Sequence, residues 1–332
     1  MSGSVLVTGG AGYIGSHATL ALAARGRRVV VLDDLSTGVR EAVTGAFVQG
    51  DVGDASLVTE VIRAHRVEAV LHFAGSIVVP ESVIDPGKYY ENNTLKSLVL
   101  ARACVAAGVK RFIFSSSAAV YGEPERTPVR ETDKTLPINP YGWSKLMVEQ
   151  MLGDLGRASP DFRTISLRYF NVAGADPKGR AGQRGPQSTH LIRCAVEAAT
   201  GRRQRLDIFG DDYPTRDGSC ERDFIHVSDL AEAHADALDF LERGGEAGVF
   251  NCGYGRGYSV KEVIAALESI TGAPLPAVVV ARREGDPARL ISDPARIRAQ
   301  LGWSPRHDSL DQILSSALAW ERSLAASATA PA

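Results

Sequence analysis

The sequence has few cysteines and no excess of charge of either sign. Its four cysteines, Cys104, Cys194, Cys220 and Cys252, lie far apart and form no Cys-x-x-Cys pair. This spacing indicates neither a zinc site nor a disulfide framework, and it favours reduced thiols. Lysine and arginine together number 37 against 39 aspartates and glutamates. We therefore expect no bound metal, and no general attraction to nucleic acid or to an anionic membrane.

Long apolar runs are missing as well. No run approaches the roughly 20 residues that a membrane-spanning helix needs, and no basic and apolar leader precedes the first predicted strand. We expect a cytoplasmic protein without a membrane segment. The chain nevertheless has 332 residues, of which 44% are hydrophobic, enough for a large core in one large domain or two closely packed ones.

A glycine-rich turn lies near the N-terminus, in the stretch from Val5 to Gly15. An apolar strand comes first, then Gly9, Gly12 and Gly15, and then a helical pattern over residues 17–24. Strand, turn and helix in this order are the context of a dinucleotide-binding fingerprint. The three glycines would allow the sharp turn, the approach of a pyrophosphate and close packing of helix on strand.

An acidic residue supports this interpretation over an ordinary glycine-rich turn. Asp33 ends a second apolar strand that begins at Val29, about 20 residues after the glycines. A carboxylate there can accept both hydroxyls of an adenine ribose, and an aspartate rather than an arginine favours NAD over NADP.

Short apolar strands and helices alternate through the first half of the chain. Strands are predicted at 47–49, 69–73, 111–115 and 164–168, and helices at 56–65, 86–107 and 141–155. This alternation predicts an α/β fold, a doubly wound parallel sheet of the Rossmann type with a smaller mixed α/β substrate-binding domain. Ligands bind such sheets beyond the carboxyl ends of the strands.

The predicted domain division is not a single cut. We expect an NAD-binding domain over 1–173 with returning segments near 223–240 and 248–253. Residues 174–322 should form mainly the substrate-binding domain. Residues 323–332 are rich in alanine and serine and are expected to be a flexible tail.

Residues that follow the strands are candidate cofactor contacts. Asp51 follows the third strand and could meet an adenine amino group. Phe73, Ala74 and Gly75 could line the adenosine and phosphate channel, because small residues allow a close approach. The alternative is that Ala74 and Gly75 simply form a turn.

A serine, a tyrosine and a lysine could carry the chemistry. Ser117 follows the strand that ends at Ser115, and Tyr141 and Lys145 are one helical turn apart on one face. A tyrosine is a poor base at its usual pKa of about 10. A nearby ammonium and an oxidised nicotinamide ring would lower the pKa of Tyr141. Ser117 would hydrogen-bond the hydroxyl that Tyr141 deprotonates, and Lys145 could also hold the nicotinamide ribose.

The chain resembles the extended short-chain dehydrogenase/reductase family, and within it the enzymes that epimerise or dehydrate nucleotide sugars. The resemblance runs from about Val5 to Trp303. The motifs that carry it are Thr8-Gly-Gly-Ala-Gly-Tyr-Ile-Gly15, His72-Phe-Ala-Gly75, Tyr89-Tyr-Glu-Asn-Asn93, Phe114-Ser-Ser-Ser-Ala-Ala-Val-Tyr-Gly122, Pro140-Tyr-Gly-Trp-Ser-Lys-Leu-Met-Val-Glu149, Leu167-Arg-Tyr-Phe-Asn-Val-Ala-Gly174, Ile208-Phe-Gly-Asp-Asp-Tyr-Pro-Thr-Arg-Asp-Gly218, Arg222-Asp-Phe-Ile-His-Val227 and Arg282-Arg-Glu-Gly-Asp286.

The resemblance implies roles residue by residue. Ser117, Tyr141 and Lys145 are expected to be catalytic. The expected cofactor-binding residues are Gly9, Gly12, Tyr13, Ile14, Gly15, Asp33, Asp34, Leu35, Ser36, Gly38, Asp51, Val52, Phe73, Ala74, Gly75, Asn92, Ser115, Tyr141, Lys145 and Tyr169. The expected substrate-binding residues are Ser117, Tyr141, Phe170, Asn171, His190, Leu191, Ile208, Phe209, Arg222, Arg283, Asp286 and Leu290.

The implied reaction interconverts UDP-glucose and UDP-galactose at C4 through a 4-ketopyranose, with bound NAD taking and returning the hydride. The arginines suit a diphosphate, because a guanidinium offers a planar fork of donors. Asp286 would hold the uridine ribose, and Ile208 and Phe209 the uracil. The family also implies a homodimer formed through the helices predicted at 86–107 and 141–155.

The chain departs from the family pattern at several places. Ile77 stands where many epimerases have a lysine that touches the NAD phosphates, and His190 stands where an asparagine is common. Leu290 occupies a position that gates the sugar pocket and is often a tyrosine, so N-acetylated sugars stay open as substrates. The loop over 177–187 differs in length and charge.

Other functions would share some of these residues. A 4-epimerase of UDP-GlcNAc, UDP-uronate or UDP-pentose would share the catalytic residues. A dehydratase usually has an acid pair where this chain has Ala118 and Ala119. A non-catalytic NAD sensor would need neither Tyr141 nor Lys145.

Overall fold

A seven-stranded parallel sheet forms the centre of the computed structural model, which describes residues 3–184, 189–283 and 286–329. Its strand order is β10-β6-β5-β4-β1-β2-β3, and each neighbouring pair is parallel. The strands of the described chain are β1 (Ser4–Thr8), β2 (Val29–Asp33), β3 (Ala46–Gln49), β4 (Val67–His72), β5 (Arg111–Ser115), β6 (Arg163–Tyr169), β7 (Asn171–Ala173), β8 (Leu206–Phe209), β9 (Glu221–His226), β10 (Gly248–Cys252), β11 (Gly257–Ser259), β12 (Ala277–Val280) and β13 (Arg289–Leu290).

Helices cover both faces of this sheet. The α-helices of the described chain are α1 (Tyr13–Ala24), α2 (Ala55–His65), α3 (Val79–Ile84), α4 (Pro86–Tyr89), α5 (Lys96–Ala106), α6 (Pro140–Ala158), α7 (Leu191–Ala199), α8 (Val227–Glu242), α9 (Val260–Thr271), α10 (Ala295–Leu301) and α11 (Leu310–Thr329). The predicted doubly wound parallel sheet is confirmed.

Alternation along the strands divides the apolar core into two layers. Val5 and Val7 of β1 pack on one face with Leu71 of β4, whereas Leu6 and Val70 of the same strands pack on the other. Both strands are continuously apolar in their middle parts, residues 5–7 and 69–71, because both faces are buried there, as expected in a parallel sheet. The sheet therefore holds its carboxyl-terminal edge rigidly.

Smaller sheets follow in the second half of the chain. β9 pairs with β7, β11 and β13, and β12 pairs with β8. β10 instead joins the main sheet beside β6. The chain thus returns to the central sheet after β9, and the division predicted at residues 173 and 174 stays a prediction.

Two predicted segments differ in detail. The single helix expected over 86–107 is broken by a π-helical segment, Tyr90–Leu95, between α4 and α5. α11 continues through Thr329, into the segment 323–332 that was expected to be a flexible tail, and its flexibility stays a prediction. Alanine has the highest helix propensity, so an alanine-rich end extends a helix readily. Residues 330–332 lie outside the described residues.

No helix among the described residues is long and apolar enough to cross a membrane.

Candidate active site

The glycine turn joins β1 to α1 and leaves room beside its backbone. Gly9 has φ +68°, and a Cβ there would lie 2.5 Å from the amide nitrogen of Ala74. A Cβ on Gly15 would collide with the carbonyl oxygen of Gly9. A Cβ on Gly12 would meet only that same oxygen, at 3.2 Å. The turn is therefore closed on the Gly9 and Gly15 sides and open at Gly12, where a pyrophosphate would approach the N-terminus of α1.

The Asp33 carboxylate is held beside this turn by backbone amides. Oδ2 accepts from the Ala11 amide at 2.9 Å, and Oδ1 accepts from the Leu35 amide at 2.8 Å. Leu35 takes an unusual positive φ of 60° to make this bond. Burial raises the pKa of Asp33, while the two amides oppose that rise. Each carboxylate oxygen keeps a further lone pair, which fits the hydroxyls of an adenine ribose.

The other residues expected around the adenosine divide into three groups. Gly38 packs against the glycine turn, since a Cβ there would lie 2.8 Å from the Ala11 Cβ. Asp34 is exposed and accepts from the Ser36 amide and hydroxyl at 2.9 and 2.6 Å. Asp51 forms an ion pair with Lys96 at 2.6 Å, a partner that the sequence did not reveal.

Several expected cofactor residues are engaged in packing. Val52 is buried in the core layer beside α2, and Ile14 packs against the other layer. The Tyr13 hydroxyl donates to the Gly174 carbonyl at 2.6 Å and ties α1 to the second half of the chain. The Phe73 ring lies 4.6 Å from the His234 ring. The side chains of these residues thus position the turn.

Three consecutive serines at the end of β5 have three different partners. The hydroxyls of Ser115 and Tyr169 are 2.5 Å apart. Ser116 donates to Glu149 on α6. Ser117 accepts from the Ala119 amide at 3.2 Å and hydrogen-bonds Tyr141. The strand end therefore reaches the start of α6 through its third serine.

Tyr141 and Lys145 lie in the first turns of α6, as their spacing predicted. Asn139 caps this helix by accepting from the Gly142 amide at 2.9 Å, and Pro140 follows at the first helical position. Tyr141 is 7% exposed and Lys145 3%. The Lys145 ammonium donates to the Ser115 carbonyl at 3.0 Å and lies 5.9 Å from the centre of the Tyr141 ring. Serine, tyrosine and lysine are thus brought together at one edge of the sheet.

Burial shifts the pKa values of Tyr141 and Lys145 in opposite directions. Burial raises the pKa of Tyr141, and the hydrogen bond with Ser117 only opposes that rise. Burial lowers the pKa of Lys145 to about 8, while the charge of Glu149 raises it. Burial therefore opposes the lowering of the Tyr141 pKa expected from the Lys145 ammonium and an oxidised nicotinamide ring, and that lowering stays a prediction. A second positive charge would be needed to favour the phenolate.

The π-helical segment adds a residue that the sequence did not single out. Asn93 is buried; its side chain accepts from the Ser76 amide at 2.7 Å and donates to the Ser76 carbonyl and the Ser144 hydroxyl, each at 3.0 Å. A Cβ on Gly75 would lie 2.9 Å from the Asn93 side chain. Asn92, the predicted contact, is partly exposed and donates to the Ser76 hydroxyl at 3.0 Å. Asn92 remains available to a ligand, and Asn93 holds the loop after β4.

Several charged residues of the second half, where the nucleotide contacts are expected, form ion pairs or lie against aromatic rings. Arg222 forms an ion pair with Asp286. The Arg283 guanidinium lies 4.1 Å from the centre of the Phe209 ring, whereas Arg282 pairs with exposed Asp212 at 2.6 Å. Arg283, Phe209 and the Arg222 pair are therefore the better candidates to hold a nucleotide.

Two expected sugar-pocket residues meet near the serines. Phe170 is buried with Ala118 and Val120, and Leu290 on β13 packs against the same group. Ser117 directly precedes this group, so Leu290 lies in the same apolar neighbourhood as the catalytic candidates. Asn171 begins β7, and Ile208 lies buried on β8.

His190 precedes α7, which begins at Leu191, but its side chain does not cap the helix. Its Nδ1 lies 3.2 Å from the Gln183 amide nitrogen. Burial lowers the pKa of His190. The Ile77 side chain is 52% exposed. Because it is apolar, it contributes no charge at the position where the family pattern has a lysine. The loop expected to differ over 177–187 extends outside the described residues after 184.

Within 3–184, 189–283 and 286–329, no group of three or more histidine, cysteine or acidic side chains could hold a metal ion. The four cysteines are buried, and no disulfide joins any two of them.

Comparison with known proteins gives the family. Residues 5–253 match the model of the NAD dependent epimerase/dehydratase family. The chain is 59% identical over 322 residues to UDP-glucose 4-epimerase of Azospirillum brasilense, covering 96% of this chain and 92% of that protein. The chain belongs to the NAD-dependent epimerase/dehydratase family, as the sequence motifs predicted.

Solved structures with the same fold are also UDP-glucose 4-epimerases. UDP-glucose 4-epimerase of Brucella ovis in complex with NAD superposes with a TM-score of 0.93 at 45% identity, over 96% of this chain and 98% of that one. UDP-glucose-4-epimerase of Stenotrophomonas maltophila, with bound NAD and formylated UDP-arabinopyranose, superposes with a TM-score of 0.95 at 39% identity, over 98% and 100%.

Proposed function

We propose that this member of the family interconverts UDP-glucose and UDP-galactose by inverting C4 of the hexose, with NAD as its bound cofactor. One observation carries the proposal: Ser117, Tyr141 and Lys145 meet at the carboxyl edge of the sheet that opens with the glycine turn. Relatives named UDP-glucose 4-epimerase, such as the one at 59% identity, support the choice of substrate.

When bound, NAD would supply the chemistry of reversible hydride transfer, so the cycle would have no net redox change. Tyr141 removes the proton from the 4-hydroxyl as the C4–H bond breaks, which leaves a 4-ketopyranose. Ser117, hydrogen-bonded to Tyr141, orients that hydroxyl. Lys145 supplies a positive charge about one turn of α6 away from Tyr141. Tyr141 gives the proton back when the sugar has presented its other face.

The nucleotide must hold the intermediate while the hexose turns. Arg222 and Arg283 offer guanidinium groups to the diphosphate, and the Phe209 ring offers an apolar face to the uracil. Arg222 would exchange its present partner, Asp286, for the substrate, and Asp286 would turn to the uridine ribose. Affinity is then concentrated away from the reacting carbon, so the sugar itself can move.

A 4-epimerase of another UDP-sugar is the second candidate. Leu290, which packs beside Phe170 and Ala118, is smaller than the tyrosine often found at this position, so an N-acetylated sugar stays open as a substrate. Dehydration is disfavoured, because Ala118 and Ala119 provide no acid after Ser117. A sensor without activity would need neither the buried tyrosine nor the buried lysine.

Assembly and location belong to the same proposal. We infer a cytoplasmic homodimer that serves galactose metabolism. Leu95, at the end of the π-helical segment, is 55% exposed, and Trp143 and Met147 are exposed along α6. Contact between these helices and those of a second copy would cover them. Sedimentation of the purified chain tests this directly, and a monomer at micromolar concentration would contradict it.

The substrate assay uses the purified chain with NAD supplied. UDP-galactose, UDP-GalNAc, UDP-glucuronate and UDP-xylose are incubated separately, and NMR follows the anomeric signals of each sugar. Fastest conversion of UDP-galactose to UDP-glucose supports the proposal. Preference for another sugar supports the second candidate, and no conversion of any of them overturns both.

Tyr141→Phe is the matching variant. It removes the hydroxyl and keeps the ring, so turnover should fall at least about a hundredfold while UDP affinity changes little. Calorimetric titration with UDP measures the affinity. Retained turnover would contradict the role of Tyr141, and lost UDP affinity would indicate a binding role instead.

A further inference from the structure

A buried ion pair lies one helical turn beyond Lys145. The Glu149 carboxylate accepts from Arg168 on β6 at 2.6 Å through Nη2 and 2.9 Å through Nε. The exposed fractions of the two side chains are 5% and 7%. A buried pair of this kind seldom stabilises a protein more than apolar residues of the same size. Its presence beside the catalytic turn therefore calls for a role other than stability.

The same carboxylate also holds the serine end of β5. Ser116, which has no exposed surface, donates to Glu149 at 2.5 Å. Its neighbours are Ser115, whose carbonyl accepts from Lys145, and Ser117, which hydrogen-bonds Tyr141. One carboxylate thus fixes the strand end against the helix that carries the tyrosine and the lysine.

Arg168 extends this arrangement into β6 and beyond. Its Nη1 donates to the Tyr121 hydroxyl at 3.0 Å, and Tyr121 in turn donates to Asn251 at 2.7 Å. The next residue, Tyr169, lies 2.5 Å from the Ser115 hydroxyl. The ends of β5, β6 and β10 and the start of α6 therefore share one buried hydrogen-bond network.

We propose that Glu149 is a positioning residue of the active site, which holds the serines of β5 in register with Tyr141 and keeps the Lys145 ammonium charged. The inference rests on the proposed function, since the register matters only if these residues act together. The hydrogen bonds of Glu149 within the described part of the chain go to Ser116 and Arg168, which are neither proposed substrate contacts nor part of the glycine turn.

The charge effect follows from what surrounds Lys145. The titratable and charged groups that face it or its immediate partners are Tyr141 and Glu149 on α6, His72 on β4, Tyr89 on α4, and Arg168 and Tyr169 on β6. Burial lowers the pKa of Lys145 to about 8, and Glu149 is the group that raises it. Loss of the Glu149 charge should thus let Lys145 lose its proton at a lower pH.

Glu149→Gln tests this with the full-length protein. The variant keeps the shape and the hydrogen-bonding oxygen but removes the charge. The alkaline limb of the pH profile of kcat should move to lower pH by about half a unit or more, with little change in KM. A purely structural residue would lower the rate equally at every pH. An unshifted limb overturns the charge role.

A paired variant separates Glu149 from its partner. Glu149→Gln with Arg168→Gln leaves no unpaired buried charge, so thermal stability should recover while the alkaline limb stays shifted. Return of the limb to its original pH would assign the effect to the unpaired arginine and overturn the inference. Ser116→Ala should lower kcat severalfold without moving the limb, because it breaks only the link to β5; unchanged kcat would contradict the register role.

A direct readout does not depend on turnover. In protein carrying ¹³C-labelled lysine, the Lys145 signal, assigned with Lys145→Arg, should titrate at lower pH in Glu149→Gln than in the parent chain. An equal midpoint overturns the inference. If the parent converts no UDP-sugar, the proposed function fails, and this titration still decides whether Glu149 controls the charge of Lys145.

Discussion

At the scale of single residues, the Asp33 carboxylate serves both the fold and the cofactor site. Its oxygens hold the amides of Ala11 and Leu35, so the glycine turn and the residue after β2 have fixed positions. The positive φ of Leu35 is tolerated because this bond and the surrounding packing enforce it. The proposed contact with a ribose depends on this orientation of the carboxylate by the backbone.

Asp33→Ala should weaken NAD binding about tenfold to a hundredfold, because a hydrogen bond to a charged group contributes about 1.5–3 kcal/mol. Asp161→Ala is the matched control: Asp161 is exposed just before β6, at the edge of the sheet opposite the carboxyl ends of the strands, so its loss should change NAD affinity little. Fluorescence titration of cofactor-free protein with NAD measures both. Equal losses in the two variants would contradict the assignment of Asp33.

At the scale of elements, the π-helical segment between α4 and α5 places two adjacent asparagines differently. A wider turn shifts the residues that follow it, and such segments are frequent at functional sites. Here Asn93 turns inward to Ser76 and Ser144, and Asn92 stays partly exposed toward the loop after β4. One asparagine therefore supports the site, and the other is free to face a ligand.

Asn93→Ala should lower the free energy of unfolding by about 1–3 kcal/mol, because it leaves buried polar groups of Ser76 and Ser144 without their partner. Asn92→Ala should lower it by less than about 1 kcal/mol but reduce NAD affinity. Urea unfolding and NAD titration separate the two effects. A larger loss of stability in Asn92→Ala would mean that the roles of these residues are reversed.

At the scale of the whole molecule, buried neutral histidines connect stability to pH. His72 and His234 lie inside the core layers, and His226 lies beside His307 under α11. Burial lowers the pKa of His72 and His226 to about 3 and that of His234 to about 4. In the unfolded chain an ordinary histidine has a pKa of about 6.5.

These shifts predict acid sensitivity below neutral pH. The unfolded state takes up protons that the folded state refuses, so the stability is fully present above about pH 6.5 and is lost as the pH falls toward 4. Each histidine contributes a slope of up to about 1.4 kcal/mol per pH unit in that window. Urea unfolding at pH 7.5, 6 and 5 measures it. Constant stability between pH 6.5 and 5 would contradict the prediction.

Much of the fold could be predicted from local patterns. The buried strands β1, β2, β4 and β5 show as apolar runs, and the glycines and Asp33 mark the cofactor turn by spacing alone. Tyr141 and Lys145 share a helical face because helix geometry depends only on sequence separation. The family followed from these motifs, since each places a definite residue type at a definite position.

The tertiary structure decided what depends on distant neighbours. Asn93 and Glu149 have partners in other elements, and the ionisation of Tyr141 and Lys145 depends on how completely the fold removes water from them. Sequence spacing describes which residues can share a face, but hydrogen bonds across the sheet and desolvation arise only when separate segments pack. For this reason the sequence determined which residues are proposed to be catalytic, and the fold determined their charge and register.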